Sequence, residues 1–186
     1  MPAIHVSLWH GLDWLIRGFC SVGTVRGVIR DLFEGARAAA QTAVRLNPDL
    51  AEGHAALGFS MCCTGDWDAG LRECERAIEL NPAYFLAYDW LAIPLAALVR
   101  FAEALAMMGR AKSLEPLSLV VHHHQAWVNV MADRFSDAVE IAKQALELDP
   151  DYSFGWWWRG IGETEMEQTN DAVRSLEKAH IIFGDF

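Results

Sequence analysis

Three consecutive histidines, His122 to His124, are the first candidates for metal chemistry in the sequence. Neighbouring residues of a helix point about 100° apart, so three histidines in a row cannot chelate one ion as a pair at i and i+4 does. We therefore predict no metal site. For His123 we expect either a contact with a ligand or partial burial with a hydrogen bond.

The acidic residues offer no paired-carboxylate site for acid–base catalysis. Glu163, Glu165 and Glu167 occupy alternate positions that do not converge on one side of a helix, and we interpret them as a solvent-facing set. The sequence also lacks a nucleophile elbow, a GxGxxG loop and a P-loop. We expect neither a catalytic residue nor a cofactor, and we interpret the chain as a non-enzyme.

The cysteines do not have the spacing of a zinc or redox site, because none belongs to a C-x-x-C motif. They are Cys20, Cys62, Cys63 and Cys74. A free cysteine commonly behaves as a small buried hydrophobe, and thiols without partners are typical of a reducing compartment. We expect a cytoplasmic protein.

The formal charge of −10 and the isoelectric point near 5.0 limit the partners that the whole chain can attract. A negative field repels phosphate backbones and anionic lipid headgroups, so we expect no direct binding to nucleic acid or to a membrane surface. The apolar stretch from Ile4 to Phe19 lacks a basic start and contains Asp13 and Arg17. It fits neither a signal peptide nor a membrane span.

Four prolines recur at equal intervals of 34 residues and mark the elements that must position any binding residue. The segments RLNP, ELNP, SLEP and ELDP end at Pro48, Pro82, Pro116 and Pro150. Proline lacks an amide donor and disfavours helical geometry in the residue before it, so each proline ends a helix. The spacing predicts successive copies of one helical unit.

Small residues recur in the same register as the prolines. The three series are Ala43, Ala77, Ala111, Ala145, Ala179; Ala36, Gly70, Ala104, Ala138, Ala172; and Gly58, Ala92, Ala126, Gly160. Only small side chains fit where two helices cross closely. The series therefore predict antiparallel helices in close contact.

This period and these small residues resemble the tetratricopeptide repeat (TPR). The resemblance implies an all-α fold, a right-handed α-solenoid of antiparallel helix pairs, with four full repeats and a degenerate N-terminal one. We place the repeats at about 17–50, 51–84, 85–118, 119–152 and 153–186, after an amphipathic N-terminal segment at 1–16. In the degenerate repeat only the second helix, roughly Leu32 to Leu46, has a clear pattern.

Pro94 lies inside a predicted helix, where we expect a kink or one lost hydrogen bond.

Longer stretches resemble one TPR subfamily in particular. They are DWDAGLRECERAIELNPAYFLAYDWLA, RFAEALAMMGRAKSLEPLSLVV and RFSDAVEIAKQALELDPDY. These are similar to the C-terminal repeats of bacterial nucleotide cyclases and winged-helix transcriptional regulators, in which the repeats bind or regulate while another domain acts. The resemblance implies a protein-interaction module in bacterial signalling or regulation.

The resemblance also implies a concave groove lined by the first helix of each repeat. The residues that we assign to this groove are Phe59, Asp89, Trp90, Ile93, His123, Trp127, Trp157 and Ile161. The set lacks the basic and amide residues with which some TPR proteins hold a C-terminal carboxylate. Its aromatic character favours the apolar face of a helical or extended segment from a protein or peptide partner. We place Trp156, in contrast, in the core.

Three alternatives stay open. Apolar residues between Ile4 and Phe19 have helical spacing, so the N-terminal segment either caps the first repeat or fills the groove of its own or another copy, as in a homo-oligomeric scaffold. The last repeat has no polar helix over its outer face, which favours a homodimer through that end or a continuation of the chain. A small-molecule effector-sensing module would need an enclosed pocket around His123, Trp127 and Trp157.

Overall fold

The computed structural model describes residues 23–184, in which nine α-helices form and no strand does. The helices are α1 (Gly23–Leu46), α2 (Ala51–Cys63), α3 (Trp67–Leu80), α4 (Phe85–Ala97), α5 (Phe101–Leu114), α6 (Leu119–Met131), α7 (Phe135–Leu148), α8 (Ser153–Glu165) and α9 (Thr169–Phe183). The segment at 1–16 lies outside the described residues. None of the described helices is long and apolar enough to cross a membrane.

The helices repeat with the period of the sequence. The even-numbered helices α2 to α8 start at Ala51, Phe85, Leu119 and Ser153, and each start lies 34 residues after the previous one. The helices that follow them keep the same interval. The prediction of an all-α protein built from helical repeats is confirmed.

A residue with positive φ lies in each turn that follows an even-numbered helix. Gly65, Val99, Asp133 and Glu167 have φ of 97°, 64°, 55° and 60°. The next amide in each turn donates a 2.9 Å hydrogen bond to a carbonyl five residues earlier, for example from Asp66 to Met61. This is the Schellman pattern that satisfies the last carbonyls of a helix. Glycine adopts positive φ without strain, but only the first turn has glycine at this position. In the second turn the β-branched Val99 has a positive φ and is therefore strained.

The N-terminal part of the described chain differs from a full repeat. A repeat at 17–50 would need a turn just before Leu32, but α1 continues through this region to Leu46. The sequence there has neither glycine nor proline between Arg30 and Leu32, and an Arg30–Glu34 ion pair of 2.9 Å joins successive turns. Nothing in the chain breaks the helix where the pattern places a turn.

The chain divides after Arg100 into two compact units, α1–α4 and α5–α9. In the first unit, α2 and α3 approach so closely that a Cβ on Gly58 would lie 2.6 Å from the carbonyl oxygen of Gly70. In the second unit, Ala126 and Ala138 are 1% and 0% exposed. Small residues occupy these crossings because larger ones would force the helices apart.

A second recurring contact ties each loop proline to the following helix. The side chains of His54, Tyr88 and Trp156 occupy the fourth residue of α2, α4 and α8, and each bonds to the proline carbonyl six residues earlier, at 2.8, 3.0 and 2.8 Å. In α6 the ring of His122 bonds instead to the carbonyl of Ser118, at 2.9 Å. In α2, α4 and α8 a polar aromatic at this position therefore satisfies a loop carbonyl that the helices leave free.

We expect Gly58→Ala to lower the free energy of unfolding by about 1–3 kcal/mol, because the added methyl group meets the backbone of α3. Gly109→Ala is the matched control, since Gly109 is an exposed residue of α5 with nothing within 4 Å of an added Cβ. The control should gain about 0.5–1 kcal/mol from better helix propensity. Urea unfolding followed by circular dichroism measures both, and equal effects would contradict close packing at Gly58.

Candidate binding surfaces

Three aromatic rings form a connected surface in the first unit, which we call the aromatic stripe. Phe33 of α1 meets Phe59 of α2 edge to face, with centroids 5.9 Å apart, and Phe59 stacks on Trp90 of α4 at 5.5 Å and 21°. All three side chains are half-buried. Their inner faces pack on the helices, and the remaining ring surface faces solvent, where it can bury apolar groups of another molecule.

The structure separates the predicted groove residues by exposure. Phe59, Trp90, Ile93, His123, Trp157 and Ile161 are half-buried and retain surface for a ligand. Asp89 is fully buried and Trp127 is only 5% exposed, so neither offers such a surface. Asp89 is the fifth residue of its helix, and in the first unit this position faces the interior, as the fully buried Ala55 of α2 also shows.

A second aromatic group lies in the second unit, and we call it the histidine cluster. It consists of His123 of α6, Phe154 and Trp158 of α8, and Phe183 of α9. The ring of His123 contacts Phe154 at 4.4 Å, and Phe154 contacts Phe183 at 5.2 Å. Trp157 reaches the edge of this cluster, 6.4 Å from Phe183.

His123 is held as a neutral ring. Its Nδ1 accepts a 2.9 Å hydrogen bond from the indole nitrogen of Trp158, so the ring proton of the neutral form is on Nε2. Burial, with a smaller effect from His124, lowers the pKa of His123 from 6.5 to about 3. The side chain is therefore a hydrogen-bond donor through Nε2 at any physiological pH.

The triple tryptophan is arranged differently from the sequence prediction. The buried member is Trp158, 4% exposed, whereas Trp156, which we placed in the core, is half-buried. The indole of Trp156 is anchored by its bond to Pro150, and its ring lies 5.5 Å below the guanidinium carbon of Arg159. A large ring with a polar edge satisfies the loop carbonyl without entering the core.

The interpretation of Glu163 as solvent-facing was wrong. Its side chain is 3% exposed and accepts hydrogen bonds from Arg159 Nε and Ser175 Oγ, each at 2.7 Å. Glu165 and Glu167 are exposed, as expected. A signal was present in the repeat register: Arg159 and Glu163 take the positions of Leu91 and Leu95 in α4, two periods earlier.

The described residues carry little sign of metal or thiol chemistry. No group of three or more His, Cys, Asp or Glu among them could hold a metal ion. Cys62 and Cys74 are buried free thiols. Burial, reinforced by Asp66, raises the pKa of Cys62 to about 12, so its reactive thiolate is scarce at neutral pH.

Comparison with known proteins establishes the fold. No protein-family model and no curated protein matches the sequence. A crystal structure of MamA matches with a TM-score of 0.67 and 18% identity, over 79% of this chain and 86% of that one. YrrB, described as a TPR protein with an unusual peptide-binding site, matches with a TM-score of 0.63 and 18% identity, over 82% of this chain and 78% of that one.

A further structure of MamA matches over 91% of this chain and 92% of that one, with a TM-score of 0.66 and 16% identity. The chain thus has the fold of the tetratricopeptide-repeat proteins, an all-α solenoid of helical repeats. At these identities the likeness extends to the fold alone.

We expect the stability of the protein to fall as the pH is lowered below about 6.5, in part because of His123. The unfolded chain then binds a proton at this residue, whereas the folded ring stays neutral down to about pH 3. The effect is at most about 1.4 kcal/mol per pH unit for one proton. In His123→Gln, the free energy of unfolding measured with urea should depend less steeply on pH between pH 7 and 5 than in the wild-type protein. The same pH dependence in both proteins would contradict the burial of a neutral ring.

The buried ion pair should be replaceable by the leucines that α4 has at the same positions. Removing Arg159 alone leaves the carboxylate of Glu163 uncompensated and should cost up to about 3–5 kcal/mol, reduced by the 28% exposure of the Arg159 side chain. The variant Arg159→Leu, Glu163→Leu, Ser175→Ala, called the leucine variant below, should keep or exceed wild-type stability. Urea unfolding measures the stability of both variants. If the leucine variant were destabilised as much as the variant that lacks only Arg159, the uncompensated carboxylate of Glu163 would not be the cause of the loss.

Proposed function

We propose that this protein is an interaction module whose aromatic stripe binds the apolar face of a helical or extended segment from a partner protein. The observation that carries the proposal is the half-buried run of Phe33, Phe59 and Trp90 across helices α1, α2 and α4. The ring-to-ring distances of 5.9 and 5.5 Å are close to the rise of about 5.4 Å in one helical turn. A docked helix would therefore place one apolar side chain on each ring.

The chemistry of the stripe suits recognition of an apolar segment. Aromatic anchors are enriched among the residues that dominate binding energy at interfaces, because they bury a large area at little cost in conformational entropy. The charge of −10 adds a preference for a neutral or basic partner. The TPR fold and the peptide-binding description of YrrB support this reading.

His123 supplies a second, polar element in the second unit. Its Nε2–H is a hydrogen-bond donor within the histidine cluster, whose edge carries the half-buried Trp157, and such a donor suits a main-chain carbonyl of a bound peptide. The resemblance of the repeat sequences to those of bacterial cyclases and regulators supports, as part of this proposal, a role in cytoplasmic signalling or regulation in which another protein carries out the catalysis.

Self-association is the second candidate function, and one observation favours it. Val139 of α7 is 6% exposed, and a Cβ on Gly162 of α8 would touch its side chain. Val173, the equivalent residue of α9, is 48% exposed, and Ile181 on the same helix is 73% exposed. A second copy that covers this face would form a homodimer, and the mass of the protein would then depend on concentration.

We expect a displayed library of random 16-residue peptides, selected on the wild-type protein, to enrich sequences with apolar residues at helical spacing. The variant Phe59→Ala, Trp90→Ala should bind the selected peptides at least about tenfold more weakly, a loss of about 1.4 kcal/mol or more. Isothermal titration calorimetry measures the affinities, and circular dichroism checks that the variant is folded.

The matched control is Leu46→Ala, which removes an apolar side chain that is 79% exposed at the end of α1, away from the stripe. It should leave the affinities unchanged. Equal losses in the control and in the double variant, or no loss in either, would show that the stripe is not the binding surface.

A further inference from the structure

A cleft between α7 and α8 carries chemistry that the aromatic stripe and the histidine cluster do not use. Its volume is about 340 Å³, at the lower end of the range for small-ligand pockets. It is lined by Lys143, Leu146, Glu147, Pro150, Trp156 and Arg159. The lining thus combines an apolar floor with two cations and one carboxylate.

The guanidinium of Arg159 is oriented before any ligand arrives. Its Nε bonds to the buried Glu163 at 2.7 Å, and Ser175 holds the other carboxylate oxygen of Glu163. The ring of Trp156, itself anchored to Pro150, lies 5.5 Å from the guanidinium carbon. Two independent contacts therefore fix the plane of the group.

This arrangement leaves the outer edge of the guanidinium available. The bond to Glu163 uses Nε, and within residues 23–184 no hydrogen bond from either Nη is found. The Nη1–Nη2 edge is the fork that binds both oxygens of a carboxylate. With 28% of its side chain exposed, Arg159 can reach a ligand in the cleft.

Stability alone does not account for an arginine at this position. In α2 and α4 the equivalent residues, Leu57 and Leu91, are 7% and 5% exposed and pack in the core of the first unit. Burying the carboxylate of Glu163 to hold Arg159 costs desolvation free energy, and two leucines at these positions would not incur that cost. A pre-positioned cation with a free edge is what distinguishes α8 from the earlier helices.

The charges around the cleft select the ligand. Glu163 balances one cation, and Lys143 makes no ion pair within the part of the chain that the structure describes. Glu147 at the rim repels a multiply charged anion, so a monoanion fits best. The apolar surfaces of Leu146, Pro150 and Trp156 fit an apolar group beside that charge.

From these contacts we propose that the α7–α8 cleft binds a peptide carboxylate that has an apolar side chain beside it. The Nη1–Nη2 edge of Arg159 binds the two carboxylate oxygens, Lys143 adds a second cationic contact, and the apolar side chain packs on Leu146 and Trp156. The site is separate from the aromatic stripe, so either can fail without the other.

The test uses three short peptides with acetylated N-termini. The first, Gly-Ser-Gly-Leu, has a free C-terminal carboxylate; the second is its C-terminal amide; the third, Gly-Asp-Leu-Gly amide, carries its carboxylate on a side chain. Each is titrated into the wild-type protein, with the Nε–H signal of Arg159 followed by NMR. We expect saturable shifts with the free acid, the Asp peptide or both, and at least tenfold weaker binding of the amide.

Two variants connect the signal to the cleft. Lys143→Gln should weaken binding severalfold without affecting the fold, because Lys143 is exposed. The leucine variant should abolish binding, as monitored through the indole signal of Trp156, while circular dichroism confirms its helices. Binding only of the Asp peptide, or only of the free acid, identifies the source of the carboxylate and supports the proposal.

Equal binding of the amide and the acids would overturn the proposal. So would the absence of any shift up to about 10 mM peptide, which is about tenfold above a dissociation constant of about 1 mM. Inorganic phosphate that binds as tightly as the free acid would also overturn it, because the cleft would then be a general anion site.

Discussion

The close approach of paired helices is the constraint on which the rest of the structure depends. In the first unit a Cβ on Gly58 would lie 2.6 Å from the oxygen of Gly70, and one on Gly70 would lie 2.6 Å from the oxygen of Gly58. Main chain therefore touches main chain, and no other residue type fits at either position without moving a helix. Because the crossing excludes large side chains, the aromatic residues of the even-numbered helices pack on other faces. Phe59, for example, follows Gly58 directly in the chain but packs against Phe33 and Trp90.

Turns and loops then keep the pairs in register. The left-handed residue after each even-numbered helix closes the turn with one repeated hydrogen bond, even where the residue is the unfavourable Val99. At the other end of the helix, His54, Tyr88 and Trp156 bond to the carbonyl of the loop proline. Both ends of the helices that carry Phe59, Trp90 and Trp157 are thus tied down, which fixes where these rings point.

The elements could be predicted from the sequence, because the signals that define them are local or strictly periodic. A proline at every thirty-fourth residue marks the loops, and the small residues mark the crossings without knowledge of any neighbour. Exposure was harder to predict, because it depends on what the other helices place against a residue. Asp89 and Trp127 therefore had the right register for a groove but are buried.

The two features with most functional content were missed for different reasons. Phe33 belongs to α1, where the repeat pattern is degenerate, so no register linked it to Phe59 and Trp90. Glu163 was judged with its neighbours Glu165 and Glu167, whereas comparison along the repeat register pairs it with Arg159 at positions that are leucine in α4. Reading the repeats against one another, column by column, would have found the ion pair.

We propose that the partly exposed aromatic rings on α1, α2 and α4 bind a partner segment, while the buried aromatic rings hold the fold. Fluorine NMR of protein labelled with fluorotryptophan tests this directly, because each of the eight tryptophans reports its own environment. On addition of a selected apolar peptide, we expect the Trp90 signal to shift and the signals of the buried Trp127 and Trp158 to stay in place. A bound peptide that leaves Trp90 unchanged would contradict the claim.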